Sequence, residues 1–293
     1  MDRRYGFLAG LDFETWSVEQ VVDALAETGY QAVSWPLARF DPRRTTSRER
    51  KRLLEITHAA GLLVSEWVLQ LDYICLGPAE REQRIRHSLE VIRCVADLDP
   101  SAPVNIFSGP APWVPSAPRL GAHLSEGQAW ELLGQALDAI IPVAESQDVR
   151  LAVEGVFGHL VHDYYTTAEL LRRYPTPNLG VNFDPSHGLL YGNDIPWAIL
   201  QFGEKIFHVH LKDAVGKPGG LPGETFIFPL LGEGNVDWVK FFTALDNIAY
   251  AGYLTVEFES FEYYKKILQN DPLSAARLSM EHLQHITSPL EGS

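Results

Sequence analysis

Four short apolar segments of this chain end in side chains that bind divalent cations. In chain order these side chains are Glu154, Asp184, His210 and Glu257. Three carboxylates with one imidazole suit Mn²⁺, Mg²⁺ or Co²⁺ better than a structural zinc, which favours thiolates. We therefore predict that these four residues bind one divalent metal ion, with Mn²⁺ preferred and Mg²⁺ or Co²⁺ as alternatives.

Two of the four ligands have a competitor in the same segment. The period-two alternation of a strand places His208, His210 and Lys212 on one side, and His210 is nearer the end of the strand than His208. His208 then either supports His210 or packs inside the fold. Glu257 and Glu259 also share a side, and we take Glu257 as the ligand because it lies one step deeper.

Other polar and aromatic residues near the segment ends are candidates for substrate contacts. His187 follows Asp184 by three residues, across a Pro-Ser turn, and is expected to contact a substrate hydroxyl instead of the metal. Lys212 is expected to hold a substrate oxygen, or else to neutralise the acids around it. The predicted substrate-binding residues are His187, Lys212, Glu66, Trp113 and His208.

The remaining aromatic and histidine side chains near the segment ends allow two interpretations. Trp35, Trp67 and Trp113 lie at or beyond strand ends, where an aromatic face can stack on a sugar, and core packing is the competing interpretation. His159 and His162 follow the Glu154 segment and are interpreted as solvated loop histidines.

Strands and helices alternate along the whole chain and must position these residues. Capping boxes at Ser17, Ser125 and Thr166 predict helix starts, and apolar spacing traces the helices that follow. Eight strand–helix pairs without a linker predict an α/β fold, a single (β/α)8 TIM barrel domain over residues 1–293. A last helix over about residues 261–286 predicts a C-terminal helical extension.

A doubly wound open sheet is the alternative architecture. It would normally carry a glycine-rich turn after the first strand, and residues 11–16 contain no glycine. An open sheet would also spread the four ligands along a line, whereas a barrel gathers all carboxyl ends at one rim. The ligand pattern therefore favours the barrel.

Two long loops are predicted at that rim. Residues 105–118 form a proline-rich excursion, and residues 214–235 carry six glycines. Both are long for a connection between a strand and a helix, so each is either a lid or substrate wall or a simple connection.

Composition restricts the class of protein. The formal net charge of −14 argues against binding to nucleic acid or to an anionic membrane. Cys75 and Cys94 are expected to be core residues instead of a disulfide, which suits a reducing compartment. The chain shows neither a secretory signal nor an apolar run long enough for a membrane span, so we expect a soluble cytoplasmic protein.

Five motifs together resemble those of a known family. They occupy residues 152–155, 182–187, 208–213, 231–238 and 255–259. With these motifs the chain resembles, over essentially its whole length, the sugar isomerase/epimerase branch of the xylose-isomerase-like barrels. The resemblance implies one divalent metal bound by Glu154, Asp184, His210 and Glu257, proton transfer by the two glutamates, and a sugar contact by His187.

One departure from the family pattern concerns the substrate. Ketose 3-epimerases of this kind carry an arginine shortly after the second histidine of the motif at residues 208–213, where this chain has Lys212-Asp213-Ala214. This argues against a simple free ketose and leaves room for a larger keto-sugar. We expect an uncharged polyhydroxy ketone, and the alternative of a sugar phosphate requires arginines of residues 39–52 to face the site.

The chemistry follows from the ligand set. Chelation of a carbonyl and its neighbouring hydroxyl stabilises an enediolate, so that a carboxylate suffices to remove the α-proton. One base gives isomerisation, two bases on opposite faces give epimerisation, and a β leaving group gives elimination. We predict a keto-sugar isomerase or epimerase, with a lyase (a keto-inositol dehydratase or a 3-keto-glycoside-cleaving enzyme) as the alternative.

Two rival functions are less well supported. An abasic-site endonuclease of this barrel type needs extra histidines near the ends of strands three and four, where residues 65–67 and 105–107 have none. A non-catalytic scaffold would not need an intact ligand set. The sequence leaves a homo-oligomer open.

Overall fold

The computed structural model describes residues 3–288. The strands are β1 (Arg4–Leu8), β2 (Ala32–Pro36), β3 (Leu63–Leu69), β4 (Val104–Phe107), β5 (Leu151–Glu154), β6 (Leu179–Phe183), β7 (Ile206–Leu211), β8 (Val215–Gly216), β9 (Phe226–Ile227) and β10 (Tyr253–Val256). Within the described residues, β1 to β7 and β10 are parallel and close into a barrel in the order β1-β10-β7-β6-β5-β4-β3-β2. The predicted (β/α)8 barrel is therefore confirmed, and β8 and β9 form a separate antiparallel hairpin.

Helices connect the barrel strands. They are α1 (Val18–Thr28), α2 (Leu37–Phe40), α3 (Ser47–Ala59), α4 (Pro78–Leu98), α5 (Glu126–Ser146), α6 (Tyr164–Arg173), α7 (Pro185–Leu190), α8 (Ile195–Phe202), α9 (Trp238–Asn247), α10 (Phe261–Lys266) and α11 (Pro272–Thr287), with 3-10 turns at Leu11–Thr15 and Gly203–Lys205. The predicted C-terminal helical extension is present, but it is divided between α10 and α11.

The division has a local cause. Gln269 and Asn270 adopt a positive φ, which cannot continue a right-handed helix. Asp271 then caps a new helix by accepting hydrogen bonds from the backbone of Leu273 and Ser274. The expectation of one continuous helix over residues 261–286 was therefore wrong.

Two of the three predicted capping boxes begin helices where the sequence places them. Ser17 and Ser125 each form the predicted capping box. At α6, however, Asp163 is the cap and accepts from the backbone N–H of Thr166, so this helix begins at Tyr164 and not after Thr166. A carboxylate accepts strongly from the free N–H groups of a first turn, which explains the earlier start.

Two irregularities in strand register bring polar side chains toward the barrel axis. β3 has one extra residue, Ser65, relative to β2, and β7 has one extra residue, Phe207, relative to β6. Such bulges redirect the side chains that follow them, here Glu66 and His208. Gly180 allows the second bulge, because a Cβ at this position would lie 2.6 Å from the Phe207 ring.

The main core lies between the strands and the helices and includes two of the three tryptophans proposed to stack on a sugar. Trp35 donates from Nε1 to Thr57 Oγ1 at 3.3 Å, and Trp67 donates to the carbonyl of Asp99 at 3.1 Å. Both rings are fully buried. Core packing is therefore the correct interpretation for Trp35 and Trp67.

Two further expectations concern the cysteines and membrane-spanning segments. Cys75 and Cys94 are buried free thiols, as expected. Over residues 3–288, none of the helices combines the length and the apolar character that crossing a membrane requires.

Candidate metal centre and active site

The four predicted ligands meet at the carboxyl ends of neighbouring strands. Glu154 ends β5, Asp184 follows β6, His210 lies near the end of β7, and Glu257 follows β10. One ligand atom of each lies within 4.8 Å of those of the other three. These four strands are adjacent in the barrel, and parallel strands deliver their carboxyl ends to one rim.

The donor atoms of these residues face a common point. His210 Nδ1 lies 3.4 Å from Glu154 Oε1 and 3.3 Å from Glu257 Oε2. Asp184 Oδ1 accepts from the N–H and hydroxyl of Ser186, whereas Oδ2 is buried and has no hydrogen-bond partner among the described residues. Oδ2 has the Lys212 ammonium beside it at 2.9 Å but accepts no hydrogen bond from the described residues, so it keeps a lone pair for a cation at the common point. The donor set therefore fits a divalent metal ion.

Buried side chains behind the ligands hold their orientation. Asn105 donates from Nδ2 to Glu154 Oε2 at 2.8 Å, which leaves Oε1 facing the other ligands. Glu66 Oε2 lies 3.0 Å from His210 Nε2, and Asn182 donates to Glu66 Oε1 at 2.8 Å. A carboxylate paired with the second nitrogen of a metal-binding histidine sets its tautomer and ring angle. His210 Nδ1 is thereby directed at the cation point.

Asn105 and Asn182 had no role predicted from the sequence. Each is the only amide side chain in an otherwise apolar strand, Val-Asn-Ile-Phe in β4 and Leu-Gly-Val-Asn-Phe in β6. A polar group inside a barrel strand requires a buried hydrogen-bond partner, and that requirement was the available signal.

A second, overlapping group of ligand-type side chains lies deeper in the barrel. Glu66, His208 and His210 also have ligand atoms within 4.8 Å of one another. His208 Nε2 is 3.8 Å from Glu66 Oε2 and has no hydrogen-bond partner within the described part of the chain. Glu66 and His208 are fully buried and do not line the cavity over the site. The structure places these two predicted substrate contacts behind the ligands.

Lys212 contributes a buried positive charge beside the ligands. Its Nζ lies 2.9 Å from Asp184 Oδ2, 2.5 Å from Glu257 Oε2 and 3.0 Å from Glu259 Oε2, although the contact with Asp184 lacks hydrogen-bond geometry. It also lies 3.2 Å from His187 Nε2. The position is compatible with both predicted roles, neutralising the acids and holding a substrate oxygen.

Glu257 and Glu259 differ in depth and in neighbours. The side chain of Glu257 is 11% exposed and contacts both His210 and Lys212, whereas that of Glu259 is 26% exposed and contacts Lys212. Glu257 belongs to the group of four and Glu259 does not. The geometry therefore favours Glu257 as the ligand.

Opposite charges control ionisation in this cluster. Burial would raise the pKa of Glu257, but Lys212 and His210 lower it to about 2. Burial would also raise the pKa of Glu154, but His210 and Lys212 lower that pKa well below the ordinary value. Burial would lower the pKa of His210, but the carboxylates of Glu66, Glu154 and Glu257 raise it well above the ordinary value. His210 therefore holds a proton at neutral pH that a cation must displace.

A cavity of about 700 Å³ opens over the ligands. Glu154, His187, Lys212 and Glu257 form its polar floor. The rest of its lining comes from strand ends, from loops and from α10, and consists of Gln70, Phe107, Trp113, Val156, Phe157, Leu221, Pro222, Gly223, Ile227, Phe228, Pro229, Leu230, Glu233, Glu259, Ser260, Phe261, Glu262, Tyr263 and Lys265. Three predicted substrate contacts, His187, Lys212 and Trp113, thus face the cavity.

Asp213 fixes one end of the glycine-rich loop, residues 214–235, which contributes several residues to the cavity lining. Its carboxylate accepts hydrogen bonds from the backbone of Gly232, Gly234 and Val236 at 3.0 to 3.1 Å and from Trp238 Nε1 at 3.1 Å. These bonds tie the far end of residues 214–235 to the end of β7. The loop therefore has a fixed base.

The two histidines expected to be solvated differ in their surroundings. His159 is buried, and its Nδ1 accepts from the backbone N–H of Gly109 at 3.3 Å. Burial, assisted by the nearby His187, lowers the pKa of His159 to about 3. The expectation of a solvated loop histidine was wrong for His159, while His162 is half-buried and packs against the Tyr191 ring.

The basic segment of residues 39–52 does not line the cavity. Arg39 donates to the carbonyl of Trp16 at 2.8 Å, and Arg43 pairs with Glu90 at 2.6 Å. These contacts hold two of its guanidinium groups elsewhere. The described cavity lining contains no arginine for a substrate phosphate.

A closed parallel barrel with acidic and imidazole ligands at its carboxyl rim defines a class of metal-site barrels. The family model described as xylose isomerase-like TIM barrel matches residues 22–286. The chain belongs to this family.

Relatives with assigned names match about half of the chain. It is 30% identical to inosose isomerase of Bacillus subtilis over 133 residues, which is 44% of this chain and 47% of the relative. It is 24% identical to inosose dehydratase of Clostridium perfringens over 151 residues, 47% and 50% of the two chains. The chain spans about half the length of these relatives.

Solved structures share the fold over nearly the full length. An IolI protein with a bound zinc atom superposes with a TM-score of 0.75 at 17% identity, covering 98% of both chains. D-psicose 3-epimerase, solved with D-fructose, gives 0.74 at 14% identity and covers 99% of this chain and 100% of that chain. The 3-keto-D-glucoside 4-epimerase YcjR of E. coli gives 0.71 at 14%, with coverage of 98% and 100%. At these identities the likeness shows the fold alone.

Proposed function

We propose that this protein is a divalent-metal-dependent isomerase or epimerase of a keto-sugar. The convergence of Glu154, Asp184, His210 and Glu257 at the floor of the cavity carries this proposal. Relatives whose names describe inosose isomerases and sugar epimerases support the same class.

The four converging residues would hold the ion. Three carboxylates and one imidazole make Mn²⁺ our preferred ion, and the zinc of the IolI structure makes zinc the competitor to test. When bound, such a cation supplies the Lewis acidity that stabilises negative charge developing on the oxygens of a hydroxy-ketone.

Glu154 and Glu257 are the proposed proton-transfer groups. Both have lowered pKa values and are therefore ionised and able to accept a proton at neutral pH. Asn105 donates to Glu154 Oε2, Oε1 faces the other ligands, and the carboxylate is thereby held at the floor of the cavity where the substrate would lie. Isomerisation requires one carboxylate to return the proton to the neighbouring carbon, whereas epimerisation requires the second carboxylate on the other face of the sugar.

His187 and Lys212 are the proposed partners of substrate oxygens. His187 Nε2 lies 3.7 Å from Glu154 Oε1 and 3.6 Å from Asp184 Oδ2, so a hydroxyl between them would meet all three groups. The absence of arginine from the described cavity lining favours an uncharged polyhydroxy ketone over a sugar phosphate.

A lyase is the second candidate. The Lys212 ammonium lies on the cavity floor beside His187, so an acid is available to protonate a leaving group β to the carbonyl. Inosose dehydratases among the relatives are consistent with this alternative.

The proposal is tested by α-proton exchange in D₂O. Protein stripped with a chelator is reloaded with Mn²⁺, Mg²⁺, Co²⁺ or Zn²⁺ and incubated with ketoses, keto-inositols and 3-keto-glycosides. We expect metal-dependent deuterium incorporation next to the carbonyl of at least one substrate, with product NMR distinguishing isomer, epimer and elimination product. Exchange that is absent with every ion, or unchanged by chelation, contradicts the proposal.

A further inference from the structure

One wall of the cavity is a continuous run of aromatic rings. Trp113 lies 5.6 Å from Phe157 between ring centroids, and Phe157 lies 6.0 Å from Phe228. The run reaches the floor, because the His187 ring is 5.7 Å from Phe157 and 5.6 Å from Phe228. Lys212 Nζ lies 4.8 Å from the centre of the Phe228 ring. Aromatic surface therefore extends from the rim down to the charged groups.

These rings do not belong to the barrel core. Phe107, Phe157, Phe226 and Phe228 form a separate apolar cluster, assembled from the end of β4 and from the loops after β5 and β7. Loops that only connect elements run over the surface and are usually polar. Apolar side chains from several loops, gathered around one cavity, indicate a surface that meets a ligand.

Apolar side chains at the mouth of the cavity remain exposed. Trp113 is 47% exposed, and Ile227 is 51% exposed. Phe261 and Tyr263 line the cavity with more than a third of their surface exposed. Exposed apolar groups clustered beside a polar floor are typical of binding sites.

The cavity has a charged floor and an aromatic wall, with further polar side chains such as Glu233 and Lys265 in its lining. Its volume of about 700 Å³ falls within the roughly 300–1,000 Å³ of pockets for drug-sized ligands. The charged floor provides the partners that a sugar ring needs, whereas the aromatic wall offers almost none. A bare sugar on the floor would leave the exposed apolar groups at the mouth, Trp113 and Ile227 among them, in contact with water, whereas Phe157 and Phe228 are already almost fully buried.

We infer that the substrate is a glycoside, a keto-sugar that carries an apolar ring as its aglycone. The sugar lies over the carboxylates, and the aglycone packs against Trp113, Phe157 and Phe228. This inference rests on the proposed function, which places the sugar ring on the floor. An aromatic aglycone suits this wall because aromatic rings attract one another in tilted and edge-to-face arrangements.

The test compares phenyl and methyl glycosides of 3-keto-glucose. Dissociation constants are measured by calorimetry on metal-loaded protein, and α-proton exchange is followed in D₂O on the same samples. We expect the phenyl glycoside to bind roughly tenfold more tightly, as one aromatic contact of about 1.4 kcal/mol would give. Trp113→Ala and Ile227→Ala should each reduce this preference. The matched controls Trp197→Ala and Ile267→Ala, at exposed positions outside the cavity lining, should retain it.

The outcomes separate this inference from the proposed function. Equal binding of the two glycosides, or no binding of either, overturns the inference. If α-proton exchange occurs without a preference for the phenyl glycoside, the inference fails and the proposed function stands. A phenyl preference that depends on Trp113 without any exchange supports the aglycone site and counts against the proposed reaction. If the protein is a dimer that dissociates on the substitution Trp113→Ala, and if the two glycosides bind equally, the aromatic wall contacts a second copy of the chain. That outcome also overturns the inference.

Discussion

Replacing Glu66 by Gln tests which of the two overlapping ligand groups holds the cation. Glu66 belongs only to the deeper group and Asp184 only to the upper one, while His210 is common to both. Glu66→Gln removes a buried charge and preserves the shape of the side chain. The proposed function requires Glu66 to support His210 without binding the ion itself.

The size of the effect follows from the hydrogen bonds of Glu66. Both of its oxygens act as acceptors, Oε1 from Asn182 at 2.8 Å and Oε2 facing His210 Nε2 at 3.0 Å. Glutamine has only one acceptor oxygen, so one of the two bonds is lost. Loss of a partner that orients a metal-binding histidine lowers metal affinity by roughly 10- to 100-fold. We expect that reduction for Glu66→Gln and a larger one for Asp184→Asn, which removes a direct ligand.

Competition between protons and the metal for His210 opposes this loss of metal affinity. The carboxylate of Glu66 is the largest favourable contribution to the raised pKa of His210. In Glu66→Gln the pKa of His210 falls, and fewer protons compete with the metal near neutral pH. A series of measurements at increasing pH separates the two effects, because the competition disappears once His210 is neutral and the orientation effect remains.

The assay is calorimetric titration of chelator-stripped protein with Mn²⁺, with circular dichroism to establish folding. Glu82→Gln serves as the control, because it removes an exposed carboxylate that pairs with Arg86 on α4. A greater loss of affinity in Glu66→Gln than in Asp184→Asn would refute the assignment and move the ion to the deeper group. Unchanged metal binding with weakened sugar binding would instead make Glu66 a substrate contact, as predicted from the sequence.

Three further predictions concern catalysis, pH and stability. Glu154→Gln and Glu257→Gln should each reduce α-proton exchange roughly 10²-fold or more in folded protein, and near-normal exchange in metal-bound Glu154→Gln would remove that residue from the mechanism. The raised pKa of His210 keeps this residue protonated at neutral pH, so metal affinity should rise about tenfold per pH unit until the pH exceeds that pKa. Calorimetry that shows the same metal affinity at about pH 6 and pH 8 would contradict this prediction. Asp213→Ala should lower the free energy of unfolding in urea by about 2–5 kcal/mol, because it leaves several buried N–H groups without an acceptor. Asp237→Ala, which removes an exposed helix cap, should cost only about 1 kcal/mol, and equal losses would argue against the anchoring role of Asp213.

Local physics explains why the architecture was predictable from the sequence. Capping boxes at Ser17 and Ser125 and the alternation of strand and helix patterns depend on hydrogen bonds and burial within short segments. The convergence of Glu154 and Asp184 follows from their positions at the ends of adjacent parallel strands. Once a closed parallel barrel is inferred, its topology brings such residues to one rim.

Features that depend on register or on partners distant in the chain were not predictable in this way. A period-two pattern shows that side chains alternate, but it does not show that Ser65 is an extra residue whose bulge precedes Glu66. The same limit applies to Trp35 and Trp67, since a ring at the end of a strand can face either the rim or the helices, and only the packed helices show which.

The barrel, the four ligand candidates and the family could be predicted from the sequence, because these predictions depend on residue types at regular spacing along one chain. The folded chain was needed to show that Asn105 and Glu66 stand behind the ligands, that Glu257 and not Glu259 joins the group of four, and that loop residues such as Phe157 build an aromatic wall. The physical reason is that a hydrogen bond or a ring contact requires two groups to meet in space. Periodicity specifies which way each group faces, whereas closure of the barrel and packing of its loops specify what it meets.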